Sequence, residues 1–382
     1  MNKSTYSDRR FMFIYLNTGN GHIAQAKVLK DAMSEYAPEA TVDLQNGFSS
    51  RRHSFHKFFE LLYALSCNYL HGAWPAVYNL GEHRPFQKLV RYLIKFRSLG
   101  RLRKLLIEKR ITDVVSFHFA LSPSIHDAIK SVDKNIRLTV VTTDPFTGPS
   151  AWFYDKRLDY IVFSEEMRRF AVEKCAVSPK NIRTMPFPLD KKYRRPVSEE
   201  EKNALRRKFG FDERKKLVLI AGGGEGLPGT LKIINQCILH RASFSLAVVC
   251  GRNKALKKSL DLLVKANGHL DLRVFGFVDF MDSLIKMSDL VVSKAGASTV
   301  METVSLKKPL IINTYLHGQE LGNMRFVVSG GAGFFIRRSA DIYRKINEIF
   351  SDEDSCGKRP SKARGPSIDT DSAKIVRYLL EK

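Results

Sequence analysis

The fold class predicted for this 382-residue chain is α/β, with two doubly wound, Rossmann-like domains facing a cleft. Three observations predict it. Apolar runs of strand length alternate with segments of helical spacing in two successive stretches of about 170–200 residues each. Several of these runs end in a glycine-bearing turn that opens a helix, the place where open α/β sheets bind ligands. Pro186-Phe187-Pro188 and the charged run from Lys191 to Arg207 separate the two stretches. The expected division is 1–195, 196–350, and a polar linker with a C-terminal helix over 351–382.

Composition narrows the function classes. A hydrophobic share of 44% with 27% charged residues describes a soluble globular protein, and no apolar run approaches the roughly 20 residues that span a bilayer. The polar start MNKSTYSDRR leads only into a strand-length run, so no signal peptide is expected. Five scattered cysteines without a C-x-x-C pair argue against a disulfide framework or a zinc site. The expected location is therefore the cytoplasm. A net charge of +24 implies an anionic partner: nucleic acid, an acidic membrane surface or a phosphorylated substrate.

In chain order, Phe11 to Asn17 is a strand, and Thr18-Gly19-Asn20-Gly21-His22 turns into a helix carrying Ile23, Ala26, Val28 and Leu29. A plain strand-to-helix loop and a backbone approached by a ligand both fit this turn. Phe58, Phe59, Leu62, Leu65 and Tyr69 fall at helical spacing. After Trp74-Pro75 a second helix runs from Arg84, with Arg84, Lys88, Arg91 and Lys95 on one face and Phe86, Leu89, Val90, Leu93 and Ile94 on the other. Three readings fit this basic helix: a core helix with a solvated face, a helix lying on an anionic bilayer, and a nucleic-acid groove. No recognised nucleic-acid-binding motif accompanies the charge, which argues against the third. Strands are expected at Asp113 to Phe119, Arg137 to Thr142, Tyr160 to Phe163 and Ile182 to Met185, with Ser122-Pro123 and Ser164-Glu165-Glu166 opening helices. Asp144, just past a strand, either orients an acceptor, assists a base, or only fixes its own loop.

The second half opens with KLVLIAGGGEGLPGT, a strand and a glycine-rich turn. Gly224, Gly226 and Gly229 spell G-x-G-x-x-G, but the next strand, Ser245 to Val249, ends in Cys250-Gly251-Arg252-Asn253 and offers no acidic residue for a nicotinamide cofactor's ribose. No Gly-Lys-Ser/Thr follows, which excludes a Walker A loop. A glycine turn beside a diphosphate fits best, placing Gly223 and Gly224 there. Leu272 to Val278 is the next strand.

Ser288 to Asn323 organises the rest. The run Leu290 to Ser293 stops at Lys294-Ala295-Gly296, and Ser298 and Thr299 open a helix. The first turn of such a helix presents unpaired N–H groups and a positive dipole end, which suit a phosphate. Simple helix capping by Ser and Thr fits as well. The strand from Pro309 to Thr314 then runs into His317-Gly318-Gln319-Glu320, whose donors and acceptors emerge beside that phosphate site.

KAG-x-ST-x-x-E followed by P-L-I-I-x-x-x-x-x-G-Q-E-x-x-N resembles the nucleotide-sugar site of the family containing monogalactosyldiacylglycerol synthases and bacterial processive diacylglycerol glucosyltransferases, with the lipid-II-forming GlcNAc transferase as a more distant relative. The resemblance implies the GT-B architecture, with acceptor chemistry in the first domain and a UDP-sugar in the second. It implies that Glu302 binds the ribose, that Gln319 and Glu320 bind sugar hydroxyls, and that Asn323 closes the donor motif. It further implies that the backbone of Phe277 and Val278 holds uracil and that Arg252 lies near the nucleotide. The turn ending at His22 resembles the family's G-x-G-H opening, whose histidine lies near the acceptor. A neutral imidazole there takes a proton from an attacking hydroxyl at pH 7, so His22 is the first candidate for the general base and Asp144 the second. TTDPFTGPSAWF, Thr142 to Phe153, resembles the family at Thr143, Asp144, Trp152 and Phe153 but has Pro149 where a histidine is expected.

The expected reaction is inverting transfer of a hexose from a UDP-sugar to a lipid hydroxyl of diacylglycerol type. The Gly222 to Gly226 turn, Gly296, Ser298, Thr299 and Lys294 would stabilise the departing diphosphate. Neither a cofactor nor a metal is expected, since Asp352-Glu353-Asp354 and Asp369-Thr370-Asp371 fall in a polar tail. An anionic membrane surface is the expected partner, at the inner face of the cell membrane. Two alternatives stand beside this reading: transfer to an isoprenoid-linked or other glycan precursor, and a catalytically degenerate basic membrane-binding protein of the same fold. Sugar identity, processivity and oligomeric state are left open by the residues.

Overall fold

The computed structural model describes residues 6–16, 20–47, 79, 81–356 and 366–382. The expected helix from Phe55 to Tyr69, with Trp74-Pro75, lies outside them. The chain divides into two compact units. The first comprises Met1–Leu189, Leu316–Gln319 and Asp369–Lys382; the second comprises Asp190–Tyr315 and Glu320–Ile368.

Among the described residues the first unit holds a six-stranded sheet of β1 (Arg10–Tyr15), β2 (Thr41–Asn46), β3 (Asp113–Ser116), β4 (Arg137–Val141), β5 (Asp159–Val162) and β6 (Ile182–Thr184). Its order is β2-β1-β3-β4-β5-β6, and every pairing is parallel. Side chains alternate across a strand, so β1 feeds two cores. Met12 and Ile14 join the layer that includes α2 (Arg84–Glu108) and α3 (Ser122–Val132), while Phe11 and Phe13 join the layer that includes α1 (Asn20–Tyr36). The second layer is completed by a helix more than 300 residues away in sequence, Ser372–Glu381. That helix buries Ile375, Val376, Leu379 and Leu380 against Ala26, Leu29 and Met33, each aliphatic side chain contributing at most about 1.5–3 kcal/mol. Arg9 fixes its end: the guanidinium donates to the carbonyls of Leu379 (2.7 Å) and Leu380 (2.8 Å) and pairs with buried Asp113.

The helix α2 differs from expectation. Ile94, Ser98, Leu102 and Leu106 are buried at four-residue spacing and define its inner face. Phe86, Leu89 and Leu93, which the core-helix reading would put inside, are exposed together with Tyr92 and Phe96. One residue of the expected basic face, Arg91, is half-buried instead, while Lys88 and Lys95 stay exposed. Arg91 lies over the Tyr154 ring at 4.9 Å, and Lys95 pairs with Asp127 at 2.7 Å. Arg91 can face the protein because its guanidinium stacks on a ring while its stem packs.

In the second unit the strands of the described sheet are β7 (Leu217–Ala221), β8 (Ser245–Val249), β9 (Leu272–Phe275), β10 (Leu290–Lys294), β11 (Leu310–Thr314) and β12 (Gly333–Phe335). The order is β12-β11-β10-β7-β8-β9, again parallel throughout. The charged stretch expected as a bare linker is partly helical, Glu199–Lys208, and Ser198 caps it by accepting from Glu201 N–H. Arg206 of that helix is buried and bonds Asp289 (2.5 Å) and the Met287 carbonyl (3.0 Å), which ties the helix to the second unit. The helix Ser339–Cys356 runs six residues past the expected end at Phe350, so Asp352-Glu353-Asp354 is helical rather than tail.

Candidate active site

Both sheets reverse strand order once. In the first, chain progress switches direction between β1 and β3; in the second, between β7 and β10. Crevices at the carboxyl ends of such neighbouring strands are where doubly wound sheets bind ligands.

At the first switch point His22 stands in the opening turn of α1, half-buried. Its Nδ1 lies 2.9 Å from the Phe117 carbonyl and 2.7 Å from Thr143 Oγ1. A carbonyl only accepts, so Nδ1 carries the proton and Nε2 is the basic nitrogen. Burial pushes the imidazole down to about 4, with the Phe117 bond acting in the opposite direction, and the ring is neutral at pH 7. A second imidazole, His118, follows β3 with its ring centroid 4.7 Å from that of His22. Its Nδ1 accepts from Ala120 N–H at 3.2 Å, and burial, with His22 alongside, holds it well below the usual range. Phe119 stacks on His118, and Trp152 meets Phe119 edge-on. Asp144 is buried and fixes its own loop. Its Oδ2 accepts from Trp152 Nε1 at 2.8 Å and its Oδ1 from Gln319 Nε2 at 3.0 Å, while Thr147 Oγ1 donates to the Gln319 carbonyl. A Cβ at Gly148 would press on Asp144 at 3.1 Å and Trp152 at 3.3 Å.

At the second switch point β7 opens into eight residues, Gly222 to Gly229, before the helix Thr230–Leu239. A Cβ on Gly222 would stand 2.4 Å from the Leu227 backbone, and Gly223 has φ +83°, so this turn requires glycine. Gly251, φ +60°, lets the end of β8 close onto the turn, where Arg252 N–H donates to the Gly224 carbonyl at 2.6 Å. The Arg252 guanidinium lies over the exposed Phe277 ring at 5.3 Å, with half-buried Val278 next to it. On β10 the register with β11 shifts between Ser293 and Lys294. Lys294 Nζ meets Glu320 Oε1 at 2.6 Å. The helix Ala297–Ser305 begins after Gly296 without a side-chain cap, and its first intrahelical bond is Val300 N–H to the Gly296 carbonyl. The N–H groups of Ala297, Ser298 and Thr299 precede that bond and point out of the helix end. Glu302, one turn on, is half-buried near Tyr193, Lys192, Asp190 and Asp282. Loss of water around its carboxyl, with Asp190 and Asp282 adding to the effect and Lys192 opposing it, pushes it up to about 7.

Residues 217–365 match the glycosyltransferase family 28 C-terminal domain. The chain is a glycosyltransferase. It is 26% identical over 368 residues to the chloroplastic monogalactosyldiacylglycerol synthase of Spinacia oleracea, covering 90% of this chain and 66% of that protein. It is 24% identical over 377 residues to the processive diacylglycerol beta-glucosyltransferase of Bacillus pumilus, covering 98% and 96%. The resemblance read from the motifs thus extends along nearly the whole chain. Among solved structures, Anabaena HepE in complex with UDP-glucose superimposes with a TM-score of 0.57 at 14% identity, covering 97% of this chain and 95% of that one. The fold of this glycosyltransferase is the two-sheet, α/β GT-B fold.

Within the glycosyltransferase, Gly223, Gly224, Arg252, Phe277 and Val278 line the ends of β7, β8 and β9, while Lys294, Gly296, Ser298, Thr299 and Glu320 stand at the end of β10, and Glu302 lies one turn further along the helix beside Lys192, Asp190 and Asp282. Gly223 joins the groups: its Cβ direction points to Lys294 Cε at 3.8 Å. Asn323 stands apart. It is buried at 1% exposure and its Nδ2 holds the Ala295 carbonyl at 2.8 Å, which positions the strand-to-helix turn from behind. Gln319 clusters with the first unit and Glu320 with the second. His118 was not singled out from the sequence. Its signal was there, a histidine directly after the apolar run DVVSF, but only the parallel pairing of β1 with β3 brings it beside His22.

Proposed function

We propose that this glycosyltransferase moves a hexose from a UDP-sugar to the hydroxyl of a diacylglycerol-type lipid, with inversion, at the inner face of the cell membrane. The observation that carries the reading is the second switch point. Glycine backbone, an uncapped helix start and a lysine converge there, a donor set suited to a diphosphate. Arg252 and Phe277 then flank the nucleotide, with uracil on the backbone of Phe277 and Val278, and Glu302 accepts from the ribose hydroxyls. Gln319 and Glu320 read the sugar. The names and coverage of the relatives support the lipid acceptor.

In this scheme His22 Nε2 takes the acceptor proton as the oxygen attacks the anomeric carbon, and Nδ1 keeps its proton on the Phe117 carbonyl. Charge then develops on the leaving diphosphate, where fixed N–H donors and Lys294 stabilise it without reorganisation. The scheme needs no metal. Asp144 acts as the support of the loop that carries Trp152. Residues 1–195 serve the acceptor and membrane, residues 196–350 the donor. Membrane contact falls to the exposed Leu89, Tyr92, Leu93 and Phe96 of α2, interleaved with exposed Lys88 and Arg97; aromatic and basic residues together suit an anionic interface. Among the described residues no helix is long and apolar enough to cross a membrane.

The test is to incubate purified protein with each radiolabelled UDP-sugar and diacylglycerol-containing vesicles, and to follow label into the lipid phase. Transfer with an inverted anomeric configuration is expected. Label entering only isoprenoid-linked acceptor would replace the diacylglycerol reading, and no transfer with intact UDP binding would indicate a degenerate site.

A further inference from the structure

Lysine is a flexible cation on a four-carbon stem, and an unsupported one loses conformational freedom when it binds an anion. Lys294 is not unsupported. The register shift at Ser293 directs it out of the end of β10, and Glu320, only 6% exposed as a residue, bonds its ammonium at 2.6 Å. Two glycines leave the stem its space. A Cβ at Gly223 would stand 3.8 Å from Lys294 Cε. One at Gly296 would stand 3.6 Å from Cε, 3.9 Å from Nζ and 3.8 Å from Glu320 Oε1. The ammonium thus stands between the turn after β7 and the start of the helix Ala297–Ser305, the two sources of backbone donors. A carboxylate in that place is unfavourable for a diphosphate by itself, so its presence calls for a role through its partner.

From this geometry we infer that Glu320 is a positioning residue for Lys294, holding the ammonium in the diphosphate cradle, in addition to any contact with the sugar. The inference rests on the reading of that cradle as the donor diphosphate site. It separates from a sugar-only role because UDP carries the diphosphate and no sugar.

The experiment is a double-mutant cycle on UDP affinity, measured by calorimetry with the full chain. Lys294→Met is expected to weaken UDP by about tenfold or more, the loss of a charge-assisted bond. Glu320→Gln keeps shape and hydrogen-bonding capacity but removes the charge; it is expected to weaken UDP about three- to tenfold, the cost of ordering one long side chain. In the Lys294→Met background the same change is expected to bring no further loss, and a modest gain, because it removes a carboxylate that no longer has the ammonium beside it. Should Glu320→Gln melt well below the parent, Glu320→Asp replaces it in the cycle with a smaller expected loss. Unchanged UDP affinity in the Glu320 variant, with only UDP-sugar binding impaired, overturns the inference, as does an equal loss in both backgrounds. Unchanged affinity in Lys294→Met alone overturns the donor-site reading of the lysine and the inference with it, a result distinguishable from the other two.

Discussion

The two switch points share a topology and differ in chemistry. The end of β1 and β3 is walled by neutral rings, His22, His118, Phe119 and Trp152, with imidazole protons set by backbone groups. The end of β7 and β10 is walled by glycine backbone, a helix start and an ion pair. Parallel strands decide where a ligand can approach, and the side chains at their ends decide which ligand. Burial acts on both places by favouring neutral forms. It lowers the imidazoles, which leaves His22 an unprotonated base, and it raises Glu302, which leaves a carboxyl poised between states until a ligand supplies donors.

The largest expected effect that tests this contrast is His22→Ala, which should lower turnover by about 100- to 10,000-fold while UDP affinity barely moves. Steady-state rates beside calorimetry check it, and near-normal turnover would return Asp144 to the role of base. Glu302→Ala should do the reverse and weaken UDP by about 10- to 150-fold through loss of a charge-assisted bond to the ribose. An unchanged dissociation constant would remove Glu302 from the nucleotide site.

Protonation sharpens the same comparison. Glu302 binds its proton more tightly in the folded state than the ordinary value of 4.5 implies, so its contribution to stability is fullest below pH 4.5 and declines as pH rises to about 7. On the proposed reading the ribose is bound by the carboxylate, so UDP affinity should rise by up to about tenfold per pH unit toward 7 and level off above it. In kcat/KM for the UDP-sugar, Glu302→Gln should remove that limb and leave the one near pH 4 from His22. A limb near 7 that survives the substitution would assign it to another group.

The smallest expected effect separates the units by their surfaces. Phe96→Ser, at a side chain 78% exposed, should weaken binding to anionic vesicles severalfold without changing UDP affinity. Arg91→Gln should change vesicle binding little, because that guanidinium is spent on Tyr154. Co-sedimentation at fixed salt measures both; the opposite ranking would restore the basic face as the lipid contact.

Much of this was legible in the chain because its signals are local. Strands such as Ser245–Val249 are short apolar runs bounded by turn residues, and glycine is required at 222 by a backbone too close for a Cβ and at 223 by a φ of +83°. The strand Thr41–Asn46 was harder to read. An edge strand is half-buried, so TVDLQN carries no continuous apolar run. The helix Arg84–Glu108 is legible but its inward face is not, since both the apolar and the basic stripe follow helical spacing and periodicity cannot say which side meets the protein.

The sequence by itself determined the alternation of strand and helix, the glycine turns and the donor motif, because each is set by residues within a few positions of one another. Only the tertiary structure decided that His118 faces His22, that Glu320 holds Lys294, that Asn323 braces a turn from the core and that Arg91 stacks on Tyr154. Each of these pairs residues that are distant in sequence, and whether such a residue is buried, paired or exposed depends on strand order, register and the competition of neighbours for the same space.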